Sequence, residues 1–307
     1  MASKRKTARG RTVTTAEGEV AREDGMNRLP LRQILCPMDL SIPSMNSLDW
    51  ANAIARARGA ELKAFHVVVT TGLAVSKSAV ARERSNMMLK LRGALRTIAP
   101  ENPRVGAAIR HGDPGSQIVQ YVRSGPADLI VMAAAGSERP VRPLGSVTAT
   151  VVARASCPVL IVPAGRPVDQ ASPGLFKRVL CAVDLAPTSV NVLKQALSMA
   201  WETHDRLIVV CVMTEPAPSA SELREHISAA IPPECNDWCD IEVVVTQGEP
   251  AAELVRGTEA SHADLLVIGP PRQWTSTTQA VLATSLCPVL VPHDARPLPW
   301  PSAKRVD

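Results

Sequence analysis

The sequence predicts an α/β protein made of two tandem units, each a five-stranded parallel sheet sandwiched between helices. Three observations lead to this prediction. The chain has 307 residues, enough for two domains of ordinary size. Four blocks of its first half recur in the same order in its second half. Within each copy, apolar strand-like runs alternate with segments whose apolar residues have helical spacing, as in parallel sheets covered by helices.

The internal repeat begins with an apolar run that ends in Asp39 in the first copy and in Asp184 in the second. The next block places His66 opposite Cys211. Four matches in one order argue against coincidence and predict two copies of one architecture. The matched segments are 32–44 with 178–189, 61–69 with 205–213, 110–133 with 246–269, and 145–163 with 275–292.

Each copy contains five runs with the length and composition of buried strands. In the first copy the predicted strands are 33–38, 62–69, 104–110, 128–133 and 158–162. Helices between strands are indicated by apolar residues at helical spacing, for example Val190, Leu193, Leu197 and Ala200 in the second copy.

The segments outside the repeat set the predicted boundaries. The first 28 residues carry seven Lys/Arg against four Asp/Glu, which is three of the chain's net charge of +5. A basic stretch without interleaved aromatic residues predicts a disordered, solubilising tail and no specific nucleic-acid site. A polar, proline-containing stretch between the copies predicts a linker. The predicted organisation is a tail over 1–28, a first unit over 29–164, a linker over 165–177, a second unit over 178–293 and a C-terminal tail over 294–307.

The composition favours a soluble protein of the cytoplasm. Hydrophobic residues make up 46% of the chain and charged residues 21%. No apolar run approaches the roughly 18–20 residues that span a bilayer. The seven cysteines are an odd number, and most of them lie in apolar runs, where cysteine acts as a small hydrophobic residue. We therefore expect a reducing compartment and no membrane partner.

Four segments resemble the universal stress protein family: ILCPMDLS (34–41), FHVV (65–68), DLIVMAAAG (128–136) and LGSVTATVVARASCPVLIVP (144–163). Together with the repeat, the resemblance covers nearly all of residues 30–293. It implies a tandem member of the family with Rossmann-like sheets of the adenine nucleotide alpha hydrolase-like type. It also implies that the final strands, 158–162 and 288–291, pair with each other inside this chain. Both runs are short and apolar, which suits an edge that must be covered.

The resemblance further implies a phosphate-binding loop after the fourth strand of the first unit. Family members that bind ATP carry the pattern Gly-x2-Gly-x9-Gly-Ser/Thr there, because glycines let the backbone approach phosphates and a helix N-terminus stabilises their charge. On this chain the pattern falls on Gly136, Gly145 and Ser146, followed by Val147. Ala133 stands where the first glycine is expected, and eight residues instead of nine separate the two remaining glycines.

For the base and ribose, the resemblance implies Pro37, Met38 and Asp39 at the end of the first strand and Val67 on the second. Open parallel sheets bind ligands beyond the carboxyl ends of their strands, so these residues and the loop are expected to converge. The implied cofactor is ATP or AMP, bound in the first unit only. An alternative role for Asp39 is that of a cap on the following helix.

The second unit lacks a recognisable phosphate loop. Its fourth strand is followed by GPPRQWTSTTQ (269–279), where Thr275 replaces the glycine before the serine. Pro270 and Pro271 remove two backbone donors that a phosphate would need. We expect no triphosphate binding in this unit.

Two functions remain open on this sequence: a stress regulator that responds to an adenine nucleotide, and a nucleotide-independent interaction or scaffold module with an unknown protein partner. No catalytic constellation is predicted. His111 and Asp113 stand in a segment typical of a turn before a helix. Cys235 and Cys239 have no second cysteine pair nearby in the sequence, so no metal site is predicted.

Overall fold

Strands and helices alternate along the chain, as the periodicity of the sequence predicts. The computed structural model describes residues 31–69, 77–100, 102–125, 127–135, 144–168, 175–184, 186, 189–200, 206–214, 219–237, 239–270 and 276–293. The strands are β1 (Gln33–Pro37), β2 (Glu61–Val68), β3 (Val105–His111), β4 (Leu129–Ala133), β5 (Val159–Val162), β6 (Arg178–Val183), β7 (Arg206–Met213), β8 (Asp240–Gln247), β9 (Leu265–Val267) and β10 (Val289–Val291). The helices are α1 (Ile42–Arg58), α2 (Lys77–Ile98), α3 (Pro114–Ser124), α4 (Ser146–Arg154), α5 (Ser189–Ala200), α6 (Ala220–Ala229), α7 (Pro250–Ala260) and α8 (Ser276–Thr284), with a 3-10 turn at Pro233–Asp237.

The ten described strands form one sheet in the order β3-β2-β1-β4-β5-β10-β9-β6-β7-β8. Neighbouring strands are parallel within each half, and the pair β5–β10 is antiparallel. We call β1–β5 with their helices the first half and β6–β10 with theirs the second half. The predicted α/β class with tandem units is confirmed. Each of the five strands predicted in the first copy is present, with ends shifted by at most one residue.

The seam between the halves is the antiparallel pair β5–β10, in which Leu160 faces Leu290 directly. Both leucines are buried, at 2% and 1% exposure. Their neighbours Val159, Ile161 and Val289 belong to a single apolar cluster that contains residues of both halves. Because side chains alternate along a strand, Leu160 and Leu290 lie on the opposite face of the sheet from that cluster. The seam is therefore packed with apolar side chains on both faces.

A second set of contacts between the halves surrounds Arg166, just after β5. Its carbonyl accepts a hydrogen bond of 3.0 Å from Nε1 of Trp50 in α1. Its guanidinium donates to the carbonyl of Leu286 at 3.0 Å and lies 3.6 Å from the carboxylate of Asp264. The ring of Trp50 also stacks on Phe176, with ring centroids 5.8 Å apart. Arg166 and Phe176, near the two ends of the predicted linker, thus tie α1 to the second half.

One acidic residue in each half joins the starts of two strands. Asp128 accepts hydrogen bonds of 2.8 and 2.9 Å from the backbone amides of Arg32 and Gln33, at the start of β1. Asp264 accepts bonds of 3.2 and 3.1 Å from the corresponding amides at the start of β6. The aspartate of the matched Ala-Asp-Leu segments is therefore a structural residue in both copies.

All seven cysteines are free and buried, which confirms that they pack as small hydrophobic residues. Within the described ranges, each helix is too short or too polar to cross a lipid bilayer.

Candidate functional site

A cavity of about 570 Å³ lies at the carboxyl ends of β1, β2 and β4 in the first half. This is the edge where open parallel sheets bind ligands. Seven of the eight residues predicted for the site line this cavity, and the eighth, Gly136, lies outside the described residues. The seven are Pro37, Met38, Asp39, Val67, Gly145, Ser146 and Val147.

Asp39 organises the turn between β1 and α1. Its Oδ1 accepts hydrogen bonds from the amide of Ser41 at 2.9 Å and from the hydroxyl of Ser41 at 2.5 Å. Ser41, not Asp39, is the N-cap of α1, because its side chain accepts from the amide of Ser44. The alternative role of Asp39 as the helix cap is therefore wrong. Its Oδ2 has no partner among the described residues, so this oxygen is available at the exposed edge of the cavity.

Leu40, inside this turn, has a φ of 65°. This left-handed conformation costs a residue with a Cβ atom about 1–2 kcal/mol. The two bonds from Ser41 to Asp39 span Leu40 and hold it in place. Backbone strain of this kind is often found at functional sites.

The second half repeats the aspartate turn. Oδ1 of Asp184 accepts from the amide of Ala186 at 3.0 Å and from the hydroxyl of Ser189, which also accepts from the amide of Asp184 at 3.0 Å. An aspartate turn is thus common to both halves, and it does not by itself make a ligand site.

His66 also lines the cavity, although it is not among the eight residues predicted for the site. Its Nδ1 lies 2.7 Å from the carbonyl oxygen of Met38. Because a carbonyl can only accept, Nδ1 carries the proton and donates. The bond fixes the end of β2 against the end of β1. The sequence signal for His66 was its place between the apolar residues Phe65 and Val67 on β2. Side chains alternate along a strand, so a polar side chain at this position lies on the face opposite Phe65 and Val67 and needs a hydrogen-bond partner there.

The N-terminus of α4 forms the wall opposite β1. Gly145 is its N-cap, with the ordinary φ of −60°. A Cβ atom added there would meet its nearest neighbours, in Ala134 and Ala135, at 3.5 Å, which is an ordinary contact distance. Neither backbone conformation nor internal packing therefore requires glycine at this position. Because glycine has no side chain, it leaves the first amides of the helix accessible to a ligand.

Several polar groups around this helix terminus already have partners in the protein. The amide of Gly145 donates to the carbonyl of Ala134 at 2.9 Å, and the amide of Ala134 donates to Val162 at 3.2 Å. The hydroxyl of the buried Thr148 donates to the carbonyl of Ala133 at 3.0 Å. The amides of residues 146–148 precede the first hydrogen bond of the helix, which runs from Ala149 to Gly145, so they have no partner within the helix.

The segment of His111 and Asp113 is a turn before a helix, as predicted. Asp113 is the N-cap of α3 and accepts from the amide of Ser116 at 2.8 Å. The hydrogen bonds from Ser116 lower the pKa of the Asp113 carboxyl. Nδ1 of His111 is buried and has no partner among the described residues.

Cys235 and Cys239 lie at the 3-10 turn before β8, where the amide of Cys239 donates to the carbonyl of Cys235 at 3.0 Å. Burial, with smaller contributions from Glu234 and Cys239, raises the pKa of the Cys235 thiol to about 11. Among the described residues, no three His, Cys, Asp or Glu side chains are grouped so that they could hold a metal ion.

The fold has counterparts among solved structures. A universal stress protein of Archaeoglobus fulgidus covers 86% of this chain and 98% of its own, at 21% identity and a TM-score of 0.68. A functionally unknown protein of Pseudomonas aeruginosa covers 87% of this chain and 94% of its own, at 18% identity and a TM-score of 0.56. These two likenesses show the fold. Another universal stress protein, solved in complex with cAMP, is 27% identical and covers 38% of this chain, with a TM-score of 0.33, and that complex concerns that protein alone.

The sequence has counterparts as well. The model of the universal stress protein family matches residues 30–163 and again residues 175–293. A universal stress protein of Methanocaldococcus jannaschii is 32% identical over 138 residues, which are 43% of this chain and 81% of that protein. Two matches of one family model account for most of the chain and coincide with the two halves of the sheet. The chain therefore belongs to the universal stress protein family.

Proposed function

We propose that the protein is a stress regulator that binds an adenine nucleotide, ATP or AMP, in the cavity of the first half. The observation that carries the proposal is the convergence of seven predicted site residues on one cavity at the carboxyl ends of the strands. Apolar walls from Met38 and Val67 suit a base, and the first amides of α4 suit a phosphate. Binding would shift stability and partner affinity by mass action.

The site assignment is tested by titrating the protein with AMP and with ATP in a calorimeter. Gly145→Asp is the sharpest variant, because aspartate is a favoured N-cap and the backbone at this position has an ordinary φ, so the helix should remain intact. The new carboxylate would repel a phosphate at the helix terminus. We expect at least about tenfold weaker binding.

A matched pair of variants separates a role in binding from a role in the turn. Asp39→Ala and Asp184→Ala break the same turn in the first and the second half. We expect only Asp39→Ala to weaken nucleotide binding. Equal effects of the two variants, or no binding by the wild-type protein at millimolar nucleotide, would contradict the proposal.

The second candidate is a nucleotide-independent scaffold, and the continuous sheet through β5 and β10 favours it, since it joins the two halves in one sheet. Retained partner binding in Gly145→Asp would support this alternative.

We also infer 29–164 and 178–293 as the domain boundaries, and a location in the cytoplasm, because seven free, buried cysteines suit a reducing compartment.

A further inference from the structure

We propose that the open edge of β3 binds an extended, acidic segment of a partner protein, which joins the sheet as an additional strand. This inference goes beyond the proposed function, and β3 is not part of the described lining of the nucleotide cavity. Three features of the described residues carry it: the outward backbone groups of β3, the contrast with the edge at β8, and the positive charge around β3.

The ten-stranded sheet ends in β3 on one side, where β3 pairs with β2. The amide of Leu62 donates to the carbonyl of Arg104 at 2.9 Å, and the amide of Gly112 donates to the carbonyl of Val68 at 3.0 Å. Because alternate residues of a strand bond to the same neighbour, the even-numbered residues of β3 face β2. The odd-numbered ones direct their amides and carbonyls to the open edge, where these groups have no partner among the described residues. They are Val105, Ala107, Ile109 and His111.

The opposite edge of the sheet, at β8, is covered. The amide of Gly248 is bonded to the last residue of β7 at 3.0 Å, so by the same alternation the carbonyl of Val243 faces outward. Nε of Arg224 in α6 donates to that carbonyl at 3.2 Å. Ala107 is the counterpart of Val243, at the offset that relates the third pair of matched segments, and no described side chain donates to its carbonyl. A contact that closes the edge at β8 is thus missing from the described residues around β3.

The sequence of β3 also lacks the features that keep an edge strand unpaired. β8 carries two acidic side chains near its start, Asp240 and Glu242, and charges at an edge discourage pairing with another strand. The stretch Val105–Ile109 has no charged residue and no proline, and its three middle residues are small. An uncharged edge with available backbone groups is the kind of surface to which a peptide binds by strand addition.

The surroundings of this edge are basic. α2, which packs against β3, carries five exposed cations and one exposed carboxylate, that of Glu83. The cations are Arg82, Arg84, Lys90, Arg92 and Arg96. None of them forms an ion pair with a described residue, and Arg110 adds an exposed cation on β3 itself. A positive surface attracts an acidic partner, whereas a second copy paired through β3 would bring two basic helices together.

The layers of the fold predict the pattern of the partner segment. α3 and α4 cover one face of the sheet together with the apolar cluster, and α1 and α2 cover the other face. Successive side chains of an added strand point to opposite faces of the sheet. We expect acidic residues at alternate positions of the segment, on the side of α2, and uncharged residues between them.

The probe is a fluorescent peptide of about eight residues with glutamate at alternate positions and threonine or valine between them, long enough to span β3. Its binding to the full chain is measured by fluorescence anisotropy, and a peptide with lysine in place of glutamate is the control. We expect the acidic peptide to bind at least about tenfold more tightly at low salt, with a smaller difference at high salt. Hydrogen exchange of the amides of Ala107 and Ile109 should slow by about tenfold or more in the complex, because the added strand gives them partners.

Ala107→Pro removes an outward amide of the edge and leaves the bonds to β2 in place, since proline is tolerated at such edge positions. We expect at least about tenfold weaker binding of the acidic peptide. Val243→Pro is the matched control at the edge of β8 and should bind the peptide like the wild type. The double variant Arg92→Glu, Arg96→Glu changes the charge of α2 at exposed positions without altering β3, and it should also weaken binding by about tenfold or more.

Failure of the acidic peptide to bind the wild-type chain at millimolar concentration would overturn the inference, as would equal binding of the lysine peptide. Equal losses in Ala107→Pro and Val243→Pro, or unchanged binding in the double arginine variant, would also contradict it. Self-association of the wild-type chain that Ala107→Pro abolishes, measured by sedimentation, would assign the edge to a second copy and overturn the assignment to a partner protein.

Discussion

Shortening Leu160 or Leu290 to alanine removes apolar contacts from the middle of the seam. The two residues face each other across an antiparallel pair and are 2% and 1% exposed. Leucine-to-alanine changes at buried sites cost about 2–5 kcal/mol, and strands on both sides limit collapse around the vacated space. We expect about 3 kcal/mol for each single variant. Cβ atoms of directly opposed residues are about 5 Å apart, so the double variant should cost less than the sum by about 0.5–1 kcal/mol.

The measurement is urea unfolding followed by circular dichroism, with the free energy of unfolding taken from the midpoint and the slope. Leu89→Ala is the control, because Leu89 lies on α2 and is 68% exposed, and we expect a change within about 0.5 kcal/mol. Additive costs for the two seam variants would show that the leucines do not interact across the seam. Single variants as stable as the wild type would refute the packing argument itself.

Three further outcomes follow from the contacts described above. Arg166→Ala removes a hydrogen bond and an ion contact to the second half. Because the side chain is 37% exposed, we expect urea unfolding to show a destabilisation of only about 1 kcal/mol. The difference from wild type should be smaller at high salt, which screens the ion contact. Leu40→Gly relieves the strain of a left-handed residue, while the more flexible glycine loses more chain entropy on folding. We expect a net stabilisation of about 0.5–1 kcal/mol, measured by thermal unfolding. A lower midpoint than that of the wild type would contradict the strain argument. Asp113→Ala removes the cap of α3 at a cost of about 1 kcal/mol at pH 7. Hydrogen bonds from Ser116 lower the pKa of Asp113 in the folded state. The carboxylate therefore contributes its full stabilisation above the pKa of an unfolded aspartate and loses it as the pH falls through the lower folded value. The free energies of unfolding of wild type and variant should accordingly converge in acid.

The strands were predictable because buried parallel strands are continuous apolar runs of limited length. Asp39 follows the run 33–38 and Pro163 follows the run 158–162, and all five strands stop within one residue of the predicted ends. The internal repeat extends the same prediction to the second half. The register of the seam was not predictable, because in runs as uniform as 158–162 and 288–291 a shift by one residue changes little in the sequence pattern.

At the site, strand ends and helix starts were predictable, and tertiary partners were not. Asp39 was recognised from its place after β1, whereas its bonds to Ser41 depend on the left-handed residue between them. Nothing local marks Glu83 as part of the cavity, since it belongs to a helix whose surrounding residues are exposed. The bond from His66 to Met38 joins residues 28 positions apart and requires the β1–β2 register to be known.

The antiparallel pairing of β5 with β10 inside one chain has a consequence for the number and the identity of the sites that the two halves carry. When two identical subunits associate through such a pair, every site occurs twice and their association depends on concentration. Here a covalent link keeps the partner present at any dilution. The two sides are also free to differ in sequence, as His66 opposite Cys211 already illustrates. If the first half binds a nucleotide as proposed, the second half serves as its permanent support, and we expect one nucleotide per chain.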